Sequence, residues 1–205
     1  RRAAEAATAA RDTVLATVSH DLRNPLNTIL MSAGMLLEFG KDRLDEMGRE
    51  RVAVIRRLAH EMNRLIQDLL DVATADAGHL VMDAQTHDAG DICRDGLEML
   101  EPIAAENGLR IVTRLPDDLP AIDVDRSRVL QVISNLVGNA IKFTPAGGTI
   151  TIEAWVESAE IVYRVSDTGP GIPEEHLPRI FDRFWKNGSR EMRGAGLGLA
   201  IAREI

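Results

Sequence analysis

His20 is followed directly by a carboxylate, Asp21, in the string Ser19-His20-Asp21-Leu22-Arg23-Asn24-Pro25-Leu26. Such a neighbour can hold one imidazole nitrogen protonated and leave the other free to attack an electrophile. At roughly 100° of turn per residue, Leu15, Val18, Leu22, Ile29, Ala33 and Leu36 fall on one side of a helix. His20 falls nearly opposite, and Asn24, Asn27 and Met31 share its face. The spacing therefore predicts an imidazole presented to solvent or to a visiting domain. Alone, an exposed histidine is ordinarily inert. The residues downstream change its weight.

Those residues have the types that a nucleotide site needs. Asn135 and Asn139, at i and i+4, share one helix face. A carboxamide oxygen is a neutral ligand suited to Mg²⁺ carrying a polyphosphate, and Lys142 follows where it can meet phosphate charge. Asp167 ends a predicted strand and can accept from an exocyclic amine, while Gly169 and Gly171 let backbone and ligand approach closely. Phe181-Asp-Arg-Phe184-Trp185 either packs the base of a loop or belongs to a core. Lys186–Arg193 is polar and aperiodic, as a flexible lid would be. Gly194, Gly196 and Gly198 then lead into a helix whose first amides can hold phosphate. This is no dinucleotide fingerprint, because Leu199 takes the sixth position and no strand precedes it. It is no Walker loop either, because no Lys-Ser or Lys-Thr follows.

The elements that position these residues divide the chain in two. Its 205 residues, 45% hydrophobic and only 3% aromatic, allow one large domain or two modest ones with aliphatic cores. A net charge of -8 argues against nucleic acid as a partner. Cys93 is the single cysteine, which excludes a disulfide framework and points to a reducing compartment. No apolar run is long enough for a bilayer and nothing resembles a signal peptide. The expected location is cytoplasmic, or the cytoplasmic portion of a membrane-anchored parent.

Residues 1–77 read as helix, turn, helix. The first helix runs to about Phe39 with Pro25 bending it, and Gly40 stops it. In the second, Ile55, Leu58, Met62, Leu65, Leu69 and Val72 alternate spacings of three and four, a heptad seam. Each helix carries more apolar surface than one partner covers. A homodimer forming a four-helix bundle is therefore expected over a monomeric hairpin. From residue 78 the pattern becomes mixed. A strand is predicted at Leu80–Met82, a helix over Asp91–Glu106 and a strand over Leu109–Arg114. Asp125 caps a helix to about Phe143, and Thr149–Val156 pairs with Ile161–Val165 in antiparallel fashion. The fold class expected is a dimeric helical hairpin (1–77) followed by a two-layer α/β sandwich (78–205).

The motifs, in this order, resemble those of the sensor histidine kinases of two-component signalling. SHDLRNPLN resembles their H box, NLVGNAIKFT their N box and DTGPGIP their first glycine box. FDRFW resembles the F box and GAGLGLAI the second glycine box, so the resemblance covers nearly the whole chain. It implies a dimerisation and histidine-phosphotransfer domain, then a catalytic ATP-binding domain of the fold shared with gyrase, MutL and the heat-shock chaperones. His20 would be the phosphoacceptor for the γ-phosphate of ATP, and Asp21 would fix its tautomer. Asn24 would orient water for dephosphorylating a partner, the receiver domain of a response regulator. Asn139 would ligate Mg²⁺, supported by Asn135, with Lys142 near the phosphates. Asp167 would read the adenine amino group, Gly169 and Gly171 would shape its pocket, and Gly194, Gly196 and Gly198 would hinge a lid and cradle phosphate.

The resemblance also implies an upstream sensor domain before Arg1 and further strands after Ile205, so the chain is expected to be a fragment, incomplete at its C-terminus. That leaves a second expectation, a dimeric interaction and phosphatase module without kinase competence. A gyrase-like ATPase is disfavoured, because Val132–Asn139 holds no carboxylate to activate water.

Overall fold

The computed structural model describes residues 22–40, 44–76, 82–186 and 195–205. The chain divides into two compact units, residues 1–80 with 193–195 and residues 81–192 with 196–205.

The first unit is a helical hairpin. Helix α1 is described over residues 22–39 and ends at Gly40, whose amide still donates to the Leu36 carbonyl at 3.1 Å. A Cβ at Gly40 would stand 2.4 Å from that carbonyl oxygen, so glycine is needed to close the helix here. Helix α2 spans Glu46–Asp76 and is capped by Asp45, whose Oδ1 accepts from the Gly48 amide at 2.7 Å.

Within one chain the hairpin buries part of the expected seam, with Ala33 and Val72 inside and Leu65 half-buried. Leu26 and Ala33 on α1 and Val52, Ala59, Val72 and Ala73 on α2 are buried. The other residues of the same expected stripes, Leu22, Ile29 and Leu36 on α1 and Ile55, Met62 and Leu69 on α2, remain 43% to 52% exposed. Leu58 is exposed as well. Each helix carries two adjacent apolar stripes, and a single partner helix covers only one. Leu15 and Val18 lie outside the described residues.

The second unit is a two-layer α/β arrangement. In chain order it comprises β1 (Gln85–Asp88), α3 (Ala89–Glu98), α4 (Glu101–Glu106), β2 (Arg110–Arg114), β3 (Ala121–Val124) and α5 (Arg126–Phe143). Then follow β4 (Thr149–Glu157), β5 (Glu160–Asp167), a 3₁₀ turn (Glu174–Arg179) and α6 (Gly198–Glu204). Strand β2 pairs with β4 in parallel and β4 with β5 antiparallel, while β1 and β3 form a separate antiparallel pair. Along β4, Ile150, Ile152 and Ala154 are buried and alternate with half-buried Thr151, Glu153 and Trp155. Ile150 and Ile152 meet Ile92 and Leu97 of α3 and Ile133, Val137 and Ala140 of α5 in one core, while Ala154 joins Ala89 and Leu119 in a second.

Asp125 caps α5 as expected, its Oδ1 accepting from the Ser127 and Arg128 amides at 3.0 and 3.2 Å. The β4–β5 turn uses Ser158 and Ala159 at φ 50° and 68°, the left-handed conformation of a tight two-residue hairpin. The structure differs from the expected elements in the following respects. The first described strand is Gln85–Asp88; of the strand expected at 80–82, Leu80 and Val81 lie outside the described residues and Met82 lies in no strand. The single helix over 91–106 is two, because Pro102 enters the first turn of α4, where its missing amide costs nothing. Strand β3 was not predicted. No described helix is long and apolar enough to cross a membrane.

Candidate functional site

In the second unit the site is organised by α5. Asn135 lies in mid-helix, 7% exposed, with its Nδ2 buried and without a hydrogen-bond partner. Its Oδ1 stands 3.1 Å from where a Cβ on Gly198 would be, so it rests against the first turn of α6. One turn along, Asn139 is half-buried, followed by exposed Lys142, whose Nζ lies 4.8 Å over the Phe143 ring. At the end of α5, the Phe143 carbonyl oxygen would be 3.0 Å from a Cβ on Gly169. The same helix thus packs against both glycine-bearing segments.

Asp167 ends β5 and is exposed, with its Oδ1 accepting from the Gly169 amide at 2.7 Å. This turn holds the carboxylate in place and leaves Oδ2 as an acceptor for a ligand. Gly169 is required twice over, since a Cβ there would also stand 2.6 Å from that same Oδ1. Gly171 has φ +74° with open space around it. Gly196, also at φ +74°, accepts from the Phe184 amide at 2.9 Å, and a Cβ on it would lie 2.6 Å from the Trp185 carbonyl. The aromatic segment therefore packs on the backbone of the last glycine loop. Phe181 and Phe184 are exposed rather than core.

In the hairpin unit, Asn24 is exposed on α1 and its carbonyl accepts from Thr28 Oγ1 at 3.1 Å. Met31 is exposed as expected. His20, Asp21, Gly194 and residues 187–193 of the expected lid lie outside the described residues.

Two family profiles match the chain in succession. Residues 10–78 match the His Kinase A (phospho-acceptor) domain, and residues 124–205 match the Histidine kinase-, DNA gyrase B-, and HSP90-like ATPase. The chain belongs to the sensor histidine kinases. Among curated histidine kinases and sensor proteins, it is 33% identical over 198 residues to the sensor protein KdpD of Clostridium acetobutylicum, covering 95% of this chain and 22% of that one. It is 35% identical over 198 residues to the adaptive-response sensory kinase SasA of Synechococcus sp. (strain JA-3-3Ab), covering 95% and 52%. The chain thus spans between about a fifth and a half of the length of these relatives. Among solved structures, full-length ShkA in complex with AMPPNP superposes with a TM-score of 0.72 at 33% identity, covering 94% of this chain and 40% of that one. The Acinetobacter baumannii histidine kinase AdeS superposes at 0.60 with 25% identity, covering 90% and 84%.

Two residues of this histidine kinase unit were not anticipated from sequence. His176 meets Trp185 edge to face, ring centroids 5.3 Å apart, with its Nδ1 buried and unpartnered. Thr144, the C-cap of α5, has a buried Oγ1 without a partner, and its side chain packs against Gly148. Neither carries a sequence signal, because each depends on which loop folds back over it.

Proposed function

We propose that this chain is the core of an ATP-dependent protein-histidine kinase, phosphorylating His20 and passing the phosphoryl group to an aspartate of a response-regulator receiver domain. The observation that carries this reading is the role of α5 as a common spine. It sets buried Asn135 against Gly198 and the Phe143 carbonyl against Gly169, so the N-box helix and both glycine segments converge. The residues present fit a nucleotide. Asn135 offers a buried, unsatisfied donor, and at Gly169 and Gly196 any side chain would collide with backbone or with Asp167.

In this reading Asp167 accepts from the adenine amino group, with Gly169 and Gly171 shaping the pocket. Asn139 would hold Mg²⁺, which would neutralise phosphate charge, and Lys142 would lie alongside. Gly194, Gly196 and Gly198 cradle phosphate and hinge the lid. His20 Nε2 supplies the electron pair for the new N–P bond as the bond to ADP breaks, while Asp21 holds the proton on Nδ1. Phosphoryl transfer is governed by positioning and charge rather than by covalent chemistry of the protein. Removing Asn139 should therefore cost more than removing any single glycine.

The phosphotransfer domain is taken to end near residue 77 and the ATP-binding domain to begin at 78. The exposed stripes of α1 and α2 support a homodimer built as a four-helix bundle. Asn24, exposed within the H box, suits the alignment of water for dephosphorylating the receiver, and exposed Met31 extends the same strip. The location proposed is cytoplasmic, with a sensor domain upstream in the parent protein.

Two measurements test the site. An Asn139→Ala or Asp167→Asn chain should lose binding of a fluorescent ATP analogue while keeping its fold, and unchanged affinity in both would refute the nucleotide site. Phosphorylated chain mixed with a cognate receiver should lose its label to the receiver within minutes, and Asn24→Ala should slow only the later dephosphorylation.

A further inference from the structure

The apolar residues that the hairpin buries are mostly small, Ala33, Val52, Ala59 and Ala73 among them. Contacts of that kind are non-directional and do not by themselves fix how α1 is rotated against α2. A polar chain crosses the hairpin close to the H box. An Arg23 guanidinium N–H on α1 donates to Gln67 Oε1 on α2, and Gln67 Nε2 donates to Asp71 Oδ1 at 3.0 Å. Arg23 and Gln67 are half-buried, and Asp71 is 4% exposed. Asp68, on the same side of α2, is 5% exposed. A neutral amide thus links a cation to a buried carboxylate, each bond running donor to acceptor in one direction.

We propose that Arg23, Gln67 and Asp71 form a positioning relay that fixes the axial rotation of α1 and, through it, the presentation of the phosphoacceptor face. The inference rests on the reading of His20 as phosphoacceptor. Arg23 points inward to the relay while the next residue, Asn24, is exposed. The helical spacing read from sequence puts His20 on the face of Asn24. A slip of one residue turns a helix by roughly 100° and moves it by about 1.5 Å. Such a slip would carry Arg23 away from Gln67 and the reactive face away from its working direction. The cost of leaving Asp71 and Arg23 without this partner opposes it. A directional polar contact in an otherwise apolar helical seam is a known way to select one register.

The test is a set of three variants of this chain. Gln67→Ala deletes the bridge, Gln67→Glu sets a carboxylate against Asp71, and Gln67→Glu with Asp71→Asn rebuilds the relay with its second hydrogen bond reversed. Both single variants should keep the KM for ATP and lower kcat for His20 phosphorylation about tenfold, the scale expected of a misplaced reacting group. The double variant should recover to within about twofold of wild type. Far-UV circular dichroism separates misfolding from misplacement. If Gln67→Ala loses helicity, the volume-conserving double variant carries the comparison. Hydrogen exchange of residues 22–39 gives a readout that does not need catalysis, with protection lowered in the singles and restored in the double. Wild type that takes no label would refute the phosphoacceptor reading, and the exchange data alone would then decide the relay. Singles that match wild type, or a double variant no better than Gln67→Glu in rate and protection, would overturn it.

Discussion

The carboxamide oxygen of Asn135 stands 3.1 Å from the point that a Cβ on Gly198 would occupy, which places the middle of α5 directly beneath the start of α6. The contact ties two segments that lie more than sixty residues apart in the sequence. It also explains why a small residue opens α6, since Asn135 is buried and has little room to withdraw.

Gly198→Ala should therefore displace Asn135 by a few tenths of an ångström without breaking the fold. Misplacing one group in a pre-organised site is costly in binding and rate. The expected result is at least about tenfold weaker binding of an ATP analogue by calorimetry, with the melting temperature little changed. Equal affinity would detach this contact from the nucleotide site.

The exposed stripes of the hairpin predict its association. Leu22, Ile29 and Leu36 repeat every seven residues on α1, as do Ile55, Met62 and Leu69 on α2, and all are about half-exposed. Together with Pro25 and Leu65, several of them line an apolar groove between the helices. Ile29→Asp or Met62→Asp should convert a dimer to a monomer in light scattering. Val156→Asp, at an exposed strand end in the other unit, should leave the dimer intact. Dimers that survive both hairpin changes would contradict the bundle.

Asp68 predicts a pH effect of definite sign. Burial pushes its carboxyl above the ordinary range, Asp71 pushes the same way, and Arg64 opposes both. A folded-state value above the unfolded one gives stability that is complete below the unfolded value and lost as pH rises through the folded one. Asp68→Asn should thus raise the melting temperature of the helical signal at pH 7, and the gain should shrink as pH falls toward the ordinary aspartate range. A lower melting temperature at pH 7 would mean that the Arg64 interaction outweighs burial.

Local signals and tertiary contacts differ in how far they could be read from the sequence. Asp125 before α5 and the alternation of β4 are local, so the cap and the β4–β5 pair were predictable. Strands β1 and β3 were not, because Gln-Thr-His-Asp has no apolar periodicity and Ala121–Val124 is too short to stand out. The two faces of α1 show a subtler limit. Periodicity groups Leu22, Ile29, Ala33 and Leu36 on one side, but it cannot tell that Ala33 and the neighbouring Leu26 are buried within one chain while the other three stay half-exposed. The order of the site motifs was legible, whereas the contacts of Asn135 with α6, Phe184 with Gly196 and His176 with Trp185 were not. Each of those arises only when distant segments are folded together.

The central claim is phosphorylation of His20, and the most direct measurement is incubation of the chain with γ-labelled ATP and Mg²⁺ followed by acid and base treatment. The account predicts a label that is lost in acid, survives base and disappears in His20→Ala while ATP analogue binding persists. Base-stable label that remains in His20→Ala would contradict it.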